Sequence, residues 1–272
     1  MKRIKRTYNS RTIGTLDRRS FLKAIPIGLI SGKTFSFSFP SLTAAIAGKN
    51  SSQWDYENPE QWGDISPEYQ VCKTGNQQSP IDLDSDQKSA LEPVEIHYQD
   101  IPLRIVNNGK TIEVDNKLEN FIVLDGQKFE LLQFHFHHPS EHTVKGESYP
   151  MEIHFVHKDR QGSLAVLAVF LQEGTENKAL VPIWDSMPSQ KSSEKYLGEL
   201  KIATSKLLPE NLDSYRYSGS LTTPPCSENV SWVVFQEPIE VSPEQFQRFD
   251  RIIHYNARPR QAINRRSILT SS

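Results

Sequence analysis

The chain has 272 residues, of which 24% are charged, 36% hydrophobic and 10% aromatic, enough apolar material for one sizeable core and no sign of a disordered or fibrous bias. Its net charge of −2 conceals a division: residues 1–47 carry nine Lys/Arg against one acid, Asp17, which leaves −10 on the remainder. An acidic globular part argues against nucleic acid or another polyanion as the main partner.

Taken in chain order, the first element is an address. Lys2, Arg3, Lys5, Arg6 and Arg11 precede "DRRSFLK" (17–23) and the weakly apolar "AIPIGLI", and Ala45-Ile46-Ala47 suits a small-residue cleavage site. Arg18-Arg19 with Phe21-Leu22-Lys23 resembles a bacterial twin-arginine export signal, with Asp17 where Ser or Thr is usual. Pro26, Gly28, Gly32 and Lys33 break the apolar run far short of the roughly 20 residues a membrane helix needs. The expectation is therefore an export signal over 1–47, a folded domain over 48–272, no span in the mature chain, and a periplasmic or extracellular location. Cys72 and Cys226 both fall in the exported part, where a disulfide between them is the expectation, although the spacing alone also allows two thiols.

Beyond residue 50, short strand-like runs follow one another: "PVEIHY", "LRIVNNG", "TIEVD", "FIVLDGQKFELLQFHFH", "MEIHFVH", "SLAVLAVFLQ", "SYRYSGSL" and "VSWVVFQ". Asn108-Gly109 and Asp125-Gly126 sit between such runs as hairpin turns. Helical periodicity is confined to 176–187 and to 242–253, the latter opening on Ser-Pro-Glu, an N-cap followed by Pro at the first position. These elements predict one mainly β domain with short peripheral helices.

Chemistry concentrates where four of the eight histidines fall between positions 135 and 142. Side chains alternate along a strand, so Gln133, His135 and His137 share one face while Phe134 and Phe136 point the other way. The same rule groups Glu152, His154 and Val156, with Ile153, Phe155 and His157 opposite. If the two strands are neighbours, His135, His137 and His154 aim three imidazoles at one ion. Three neutral imidazoles and one open position describe a catalytic zinc site, though Co²⁺ and Cu²⁺ also suit such donors. Gln133 and Glu152, each two residues before a ligand, are placed to accept the second ring N–H of His135 and His154.

"QFHFH", "SEHTV", "MEIHFVH", "GSLTTPPC" and "VSW", together with "GNQQSPIDL" (75–83), "NNGKTIEV" (107–114) and "NARPRQ" (256–261), resemble the α-class carbonic anhydrases in nearly everything from Trp54 onward. The resemblance implies a large, mostly antiparallel twisted central sheet. It implies a Zn²⁺ cofactor on His135, His137 and His154, and reversible hydration of CO₂ to bicarbonate and a proton by zinc-bound hydroxide. Glu141 and Thr222 are then the pair that aims the hydroxide. Val156, Val166, Leu221, Thr222, Thr223 and Trp232 become the substrate pocket, and Tyr56, Asn108 and Glu113 its polar side. Lys110 stands at the proton-relay position, where a lysine titrating near 10.4 is a poor relay. His142 and His157 fit buried structural roles, His138 stands where the family commonly has Trp, and His97 and His254 are surface residues. The second reading is a non-catalytic binding module on the same fold, against which the intact ligand set argues. The oligomeric state is not legible.

Overall fold

Alternation of apolar and polar residues decides which face of each strand meets which core, and the computed structural model, which describes residues 53–84 and 87–271, follows it closely. The export signal expected over 1–47 lies outside the described residues. The first strands are β1 (Lys88–Ser89), β2 (Glu95–His97), β3 (Ile101–Asn107), β4 (Ile112–Asp115) and β5 (Phe121–Leu124). The central ones are β6 (Gln127–His137), the small pair β7 (Thr143–Val144) and β8 (Glu147–Ser148), β9 (Met151–Lys158) and β10 (Leu164–Glu173). After them come β11 (Lys195–Ile202), β12 (Ser214–Ser220), β13 (Glu228–Phe235), β14 (Ile239–Val241) and β15 (Leu269–Ser271).

The main path across the large sheet runs β1-β15-β12-β13-β10-β9-β6-β4-β3-β11. Most neighbours are antiparallel, as expected, but the sheet is mixed: β10 pairs in parallel with both β13 and β14, and β1 with β15. Two turns behave as read. Asp125 and Gly126, at φ 51° and 77°, join β5 directly to β6 in the doubly left-handed geometry that Asp-Gly favours. Gly109, at φ 83°, sits in the turn from β3 to β4.

Among the described residues, four short α-helices lie outside the sheet: α1 (Trp62–Ile65), α2 (Val71–Thr74), α3 (Val181–Trp184) and α4 (Pro243–Asp250). At α4, Ser242 Oγ accepts Gln245 N–H while Gln245 Oε1 accepts Ser242 N–H, a reciprocal cap with Pro243 at the first position. The helical run expected over 176–187 shrinks to the single turn of α3, because Asn177 binds Ala179 N–H in a tight turn just before it and Pro188 follows. β11 was not legible: it is an edge strand whose residues are largely exposed and whose pairing with β3 slips after Leu197.

The sheet separates two cores. One contains Leu103, Phe134, Phe136, Ile153, Phe155 and Trp184; the other contains Ile81, Val156, Val166, Phe170, Val234 and Trp232. A β-bulge in β6 keeps its apolar residues in the first core. Pairing with β9 skips a residue between Leu131 and Gln133, so Phe129 and Leu131 before the bulge and Phe134 and Phe136 after it face the same side. The Cys72–Cys226 disulfide ties α2 to the loop after β12. Phe136, fully buried, meets Phe134 at 6.0 Å, Trp184 at 5.0 Å and Phe249 at 6.0 Å between ring centroids. Phe136→Ala is expected to cost about 3–5 kcal/mol in urea unfolding, the usual range for emptying an aromatic core position.

Candidate metal centre

β6 and β9 are antiparallel neighbours, and their register sets His135 directly opposite His154. His137, two residues along β6, joins them on that face, and the ring centroids stand 4.9, 5.4 and 4.5 Å apart. One nitrogen from each of the three lies within 4.8 Å of the other two. His137 and His154 are buried and His135 is partly so.

Fixed acceptors decide which nitrogen each ring presents. Gln133 Oε1 lies 2.9 Å from His135 Nδ1, the Asn256 carbonyl oxygen 2.7 Å from His137 Nδ1, and Glu152 Oε1 2.8 Å from His154 Nε2. An oxygen that only accepts must face a protonated nitrogen, so the lone pairs left over are His135 Nε2, His137 Nε2 and His154 Nδ1. Burial, reinforced by the neighbouring imidazoles His137 and His154, keeps the His135 pKa well below the usual histidine value. Burial also lowers that of His137, partly offset by Glu141. Three imidazoles whose unengaged nitrogens converge match what a divalent metal requires. His137 Nε2 is moreover buried without a hydrogen-bond partner, a costly state that an ion would relieve.

Glu152 anchors this arrangement. Its Oε1 also lies 2.6 Å from His142 Nδ1, and its Oε2 accepts the main-chain N–H of Glu141 and of His142 at 2.8 and 2.9 Å. Burial alone would raise its pKa, but the adjoining His142 and His154 outweigh that and hold it well below the usual carboxylate range. His142 in turn meets the Tyr217 hydroxyl at 2.7 Å, so it is a buried structural histidine. His157 is another, 2.6 Å from Tyr98 Oη on the opposite face of β9.

Glu141 accepts Arg258 N–H on Oε1 at 2.8 Å. Its Oε2 is buried and unpartnered, 3.5 Å from His137 Nε2 and 3.8 Å from His154 Nδ1. The bond expected from Thr222 to Glu141 is therefore not formed at this oxygen, although Thr222 is buried. Val156, Val166 and Trp232 lie in one row across β9, β10 and β13, and Leu221 packs against the same cluster. Trp232 stands edge-on to His154, centroids 4.9 Å apart. An apolar wall thus adjoins the three imidazoles.

The polar side is tied down more than the sequence suggests. Asn108 Oδ1 is spent within its own turn on Lys110 N–H and Thr111 N–H, both at 2.9 Å. The Lys110 ammonium donates to the Trp54 carbonyl and lies over the Trp54 ring, 4.7 Å from its centroid. Burial pulls its pKa below the usual lysine value, with Asp55 opposing. Tyr56 is raised well above its usual value by burial and by Glu141. Thr223 accepts Cys226 N–H on its carbonyl at 2.9 Å, tightening the loop that the disulfide holds. Glu113, on β4, is placed directly opposite His135. Two contributors escaped the sequence reading: Asn256, whose carbonyl orients His137 from 119 residues away, and Arg258, which positions Glu141. Both act through main-chain atoms, which side-chain patterns do not reveal.

A family model described as eukaryotic-type carbonic anhydrase matches residues 57–272. A carbonic anhydrase of Nostoc sp. is 41% identical over 263 residues, covering 94% of this chain and 98% of the relative. The α-carbonic anhydrase from Thermovibrio ammonificans, solved in complex with the inhibitor sulfanilamide, has a TM-score of 0.78 and 48% identity, covering 80% of this chain and 99% of that one. Dioscorin complexed with ascorbate has a TM-score of 0.74 and 30% identity, covering 80% of this chain and 96% of that one.

Glu113 gives the site a pH signature. Burial, with Asp115 adding to it, raises its carboxyl from 4.5 to about 7. The folded state therefore binds a proton that the unfolded chain releases, so this group's contribution falls as pH rises from about 4.5 to 7 and stays low above. In chelator-treated protein, Glu113→Gln is expected to stabilise the fold by on the order of 2 kcal/mol at pH 8 and by nearly nothing at pH 4, read from urea midpoints. An equal gain at both would assign the effect to packing.

Proposed function

This chain belongs to the eukaryotic-type carbonic anhydrase family and catalyses the reversible hydration of CO₂ to bicarbonate and a proton; from that premise we propose that His135, His137 and His154 hold its zinc ion and that Glu141 and Thr222 direct the attack. The observation that carries this is the convergence of three imidazole nitrogens, each ring oriented by its own acceptor. Zinc bound there would supply the Lewis acidity that brings a bound water's pKa near 7, a general property of carbonic anhydrases.

The protein's own groups supply aim and environment. With Oε1 committed to Arg258 N–H, Glu141 has only Oε2 left to accept, and this oxygen lies beside the ligand nitrogens. A Thr222 hydroxyl that donates to Oε2 can itself only accept, which fixes the orientation of the nucleophile it meets. Val156, Val166, Leu221 and Trp232, which form one apolar cluster, would exclude water on the side where CO₂, uncharged and without a net dipole, is held, and the Thr222 main-chain N–H and Thr223 are assigned to the border of that side. Gln133 and Glu152 keep His135 and His154 in the required tautomers.

Release of the proton falls to Lys110, a weak relay because its ammonium is engaged with Trp54. Tyr56, Asn108 and Glu113 line the polar side of the path. The Cys72–Cys226 disulfide suits an oxidising compartment, and among the described residues no helix is long and apolar enough to cross a membrane. Delivery to the periplasm or beyond by a twin-arginine-type signal over 1–47, ahead of a catalytic domain over 48–272, completes the reading.

Stopped-flow CO₂ hydration, run before and after chelation with zinc quantified, tests it. Activity should disappear with the metal and return with it, and Thr222→Ala should lower kcat/KM by about a hundredfold with zinc retained. Full zinc content without activity would favour a binding module on the same fold. Lys110→His should raise turnover in weak buffer and make no difference in concentrated imidazole; a variant no faster at any buffer strength would place the slow step elsewhere.

A further inference from the structure

Arg216 lies in β12 opposite Val233 of β13, while its neighbour Tyr217 stands opposite Trp232. Trp232 shares the face of the three histidines, so by alternation Arg216 lies on the other. It is 8% exposed, an unusual setting for a guanidinium, which stays charged inside a protein. Its bonds answer that charge poorly. Nη2 donates to the Glu92 carbonyl oxygen at 2.5 Å, an acceptor without net charge. Nη1 meets Asp125 Oδ1 at 3.4 Å, and the Asp125 side chain is 74% exposed, so water screens the pair. Nε is buried with no partner among the described residues. Burial pulls the Arg216 pKa below the usual arginine value, with Asp125 opposing.

The same side chain lines a cavity of about 230 Å³. Its walls come from the stretch between β1 and β2, from residues 211–213 before β12, and from Ser271 in β15. Leu91, Pro93 and Leu212 make part of the wall apolar, and Arg216 is the buried cation. Asp213 borders it too, but its oxygens are engaged: Oδ2 accepts from Asn211 Nδ2 at 3.0 Å, and Oδ1 lies 3.5 Å from Ser271 Oγ. Each feature excludes something. The cation calls for a negatively charged acceptor, whereas the Asp213 carboxylate repels a multiply charged anion such as sulfate or phosphate. The apolar wall gains nothing from bicarbonate and favours a ligand with hydrocarbon to bury. The volume lies below the roughly 300–1,000 Å³ of sites for drug-sized ligands, which leaves room for a few carbons.

We propose that this cavity binds a small organic monocarboxylate, with its charged end on the Arg216 guanidinium and its hydrocarbon end against Leu91, Pro93 and Leu212. A carboxylate is the planar acceptor that the guanidinium fork matches, and such charge-assisted bonds are roughly twice as strong as neutral ones. The ligand brings into the cavity the counter-charge that Asp125 supplies only from solvent. None of the lining residues belongs to the three-histidine centre, so filling the cavity leaves the reaction untouched.

The test is titration of the zinc-loaded protein with sodium butyrate, followed by NMR of the backbone amides and the arginine Nε–H groups. Butyrate is expected to shift the Arg216 Nε–H and the amides of Leu91, Leu212 and Asp213 together, with a Kd on the order of 1 mM, as its few heavy atoms permit. Butylamine should shift none of them, and sulfate should bind roughly tenfold more weakly or worse. Leu212→Asp, on the exposed rim, should weaken butyrate binding by roughly tenfold or more through like-charge repulsion, and Arg216→Gln should abolish it. Both should leave CO₂ hydration unchanged. Should Arg216→Gln fail to fold, Leu212→Asp and the Arg216 Nε–H shift decide the matter. The proposal is overturned if butyrate well above that Kd moves only resonances of the three-histidine centre or none, if the shifts persist undiminished in Leu212→Asp, or if sulfate or butylamine matches butyrate.

Discussion

The buried carboxylate of Glu152 is the constraint on which the site depends. A carboxylate offers about four lone-pair positions, and all four are taken: the rings of His142 and His154 on Oε1, the main-chain N–H groups of Glu141 and His142 on Oε2. Burying a charge is expensive unless it is paired and fully hydrogen-bonded, so this set cannot lose a member cheaply. Because Glu152 takes the Nε2–H of His154, Nδ1 is left to face His135 and His137. Because it takes the Glu141 amide, the Glu141 side chain is anchored beside the same nitrogens. One charge thus sets the tautomer of His154 and the position of Glu141 beside it.

The constraint spreads outward through groups whose roles are forced in turn. His142 gives its Nδ1–H to Glu152, and in the neutral ring its Nε2 accepts from the Tyr217 hydroxyl. Tyr217 then accepts from Ser79 Oγ, 2.8 Å away, and Ser79 Oγ accepts Ser220 N–H at 3.0 Å. The chain of bonds ends at Ser220, the last residue of β12, directly before the loop carrying Leu221, Thr222 and Thr223. The orientation of His154 and the loop carrying Thr222 therefore share one hydrogen-bonded system, and the Cys72–Cys226 disulfide holds the far end of that loop.

Much of this was legible because β-strand periodicity is strict. Gln133, His135 and His137 on one face, and Glu152, His154 and Val156 on another, follow from counting by two. Neighbourhood of β6 and β9 is what converts two faces into one site, and their register, His135 opposite His154, confirms it. The count works only because the bulge lies upstream of Gln133; a period drawn from Phe129 onward would have turned the histidines into the core. Nothing in the side chains announces that bulge. It is held by main-chain bonds, Asn116 N–H to the Leu132 carbonyl and Leu131 N–H to the Asn120 carbonyl, where β6 changes partner from β5 to β4. β11 was missed for the complementary reason, since an exposed edge strand has no second face to bury. Asn256 and Arg258 were missed because their main chains, not their side-chain types, do the positioning.

The sheet itself explains why one wall of the site is apolar and the other polar. β9, β10 and β13 are interior strands buried on both faces, so the positions beside His154 are occupied by Val156, Val166 and Trp232. Toward β4 and β3 the sheet approaches its edge strand, β11, and the same face carries Glu113 and Asp115, across from His135 and Gln133. The gradient from interior to edge thus becomes a gradient from dry to wet across three imidazoles. A reaction that takes up an uncharged gas and sheds a proton needs both kinds of surface close together. His135 and His154, facing each other on adjacent strands, β6 toward the edge and β9 toward the interior, supply that contrast without any element dedicated to it.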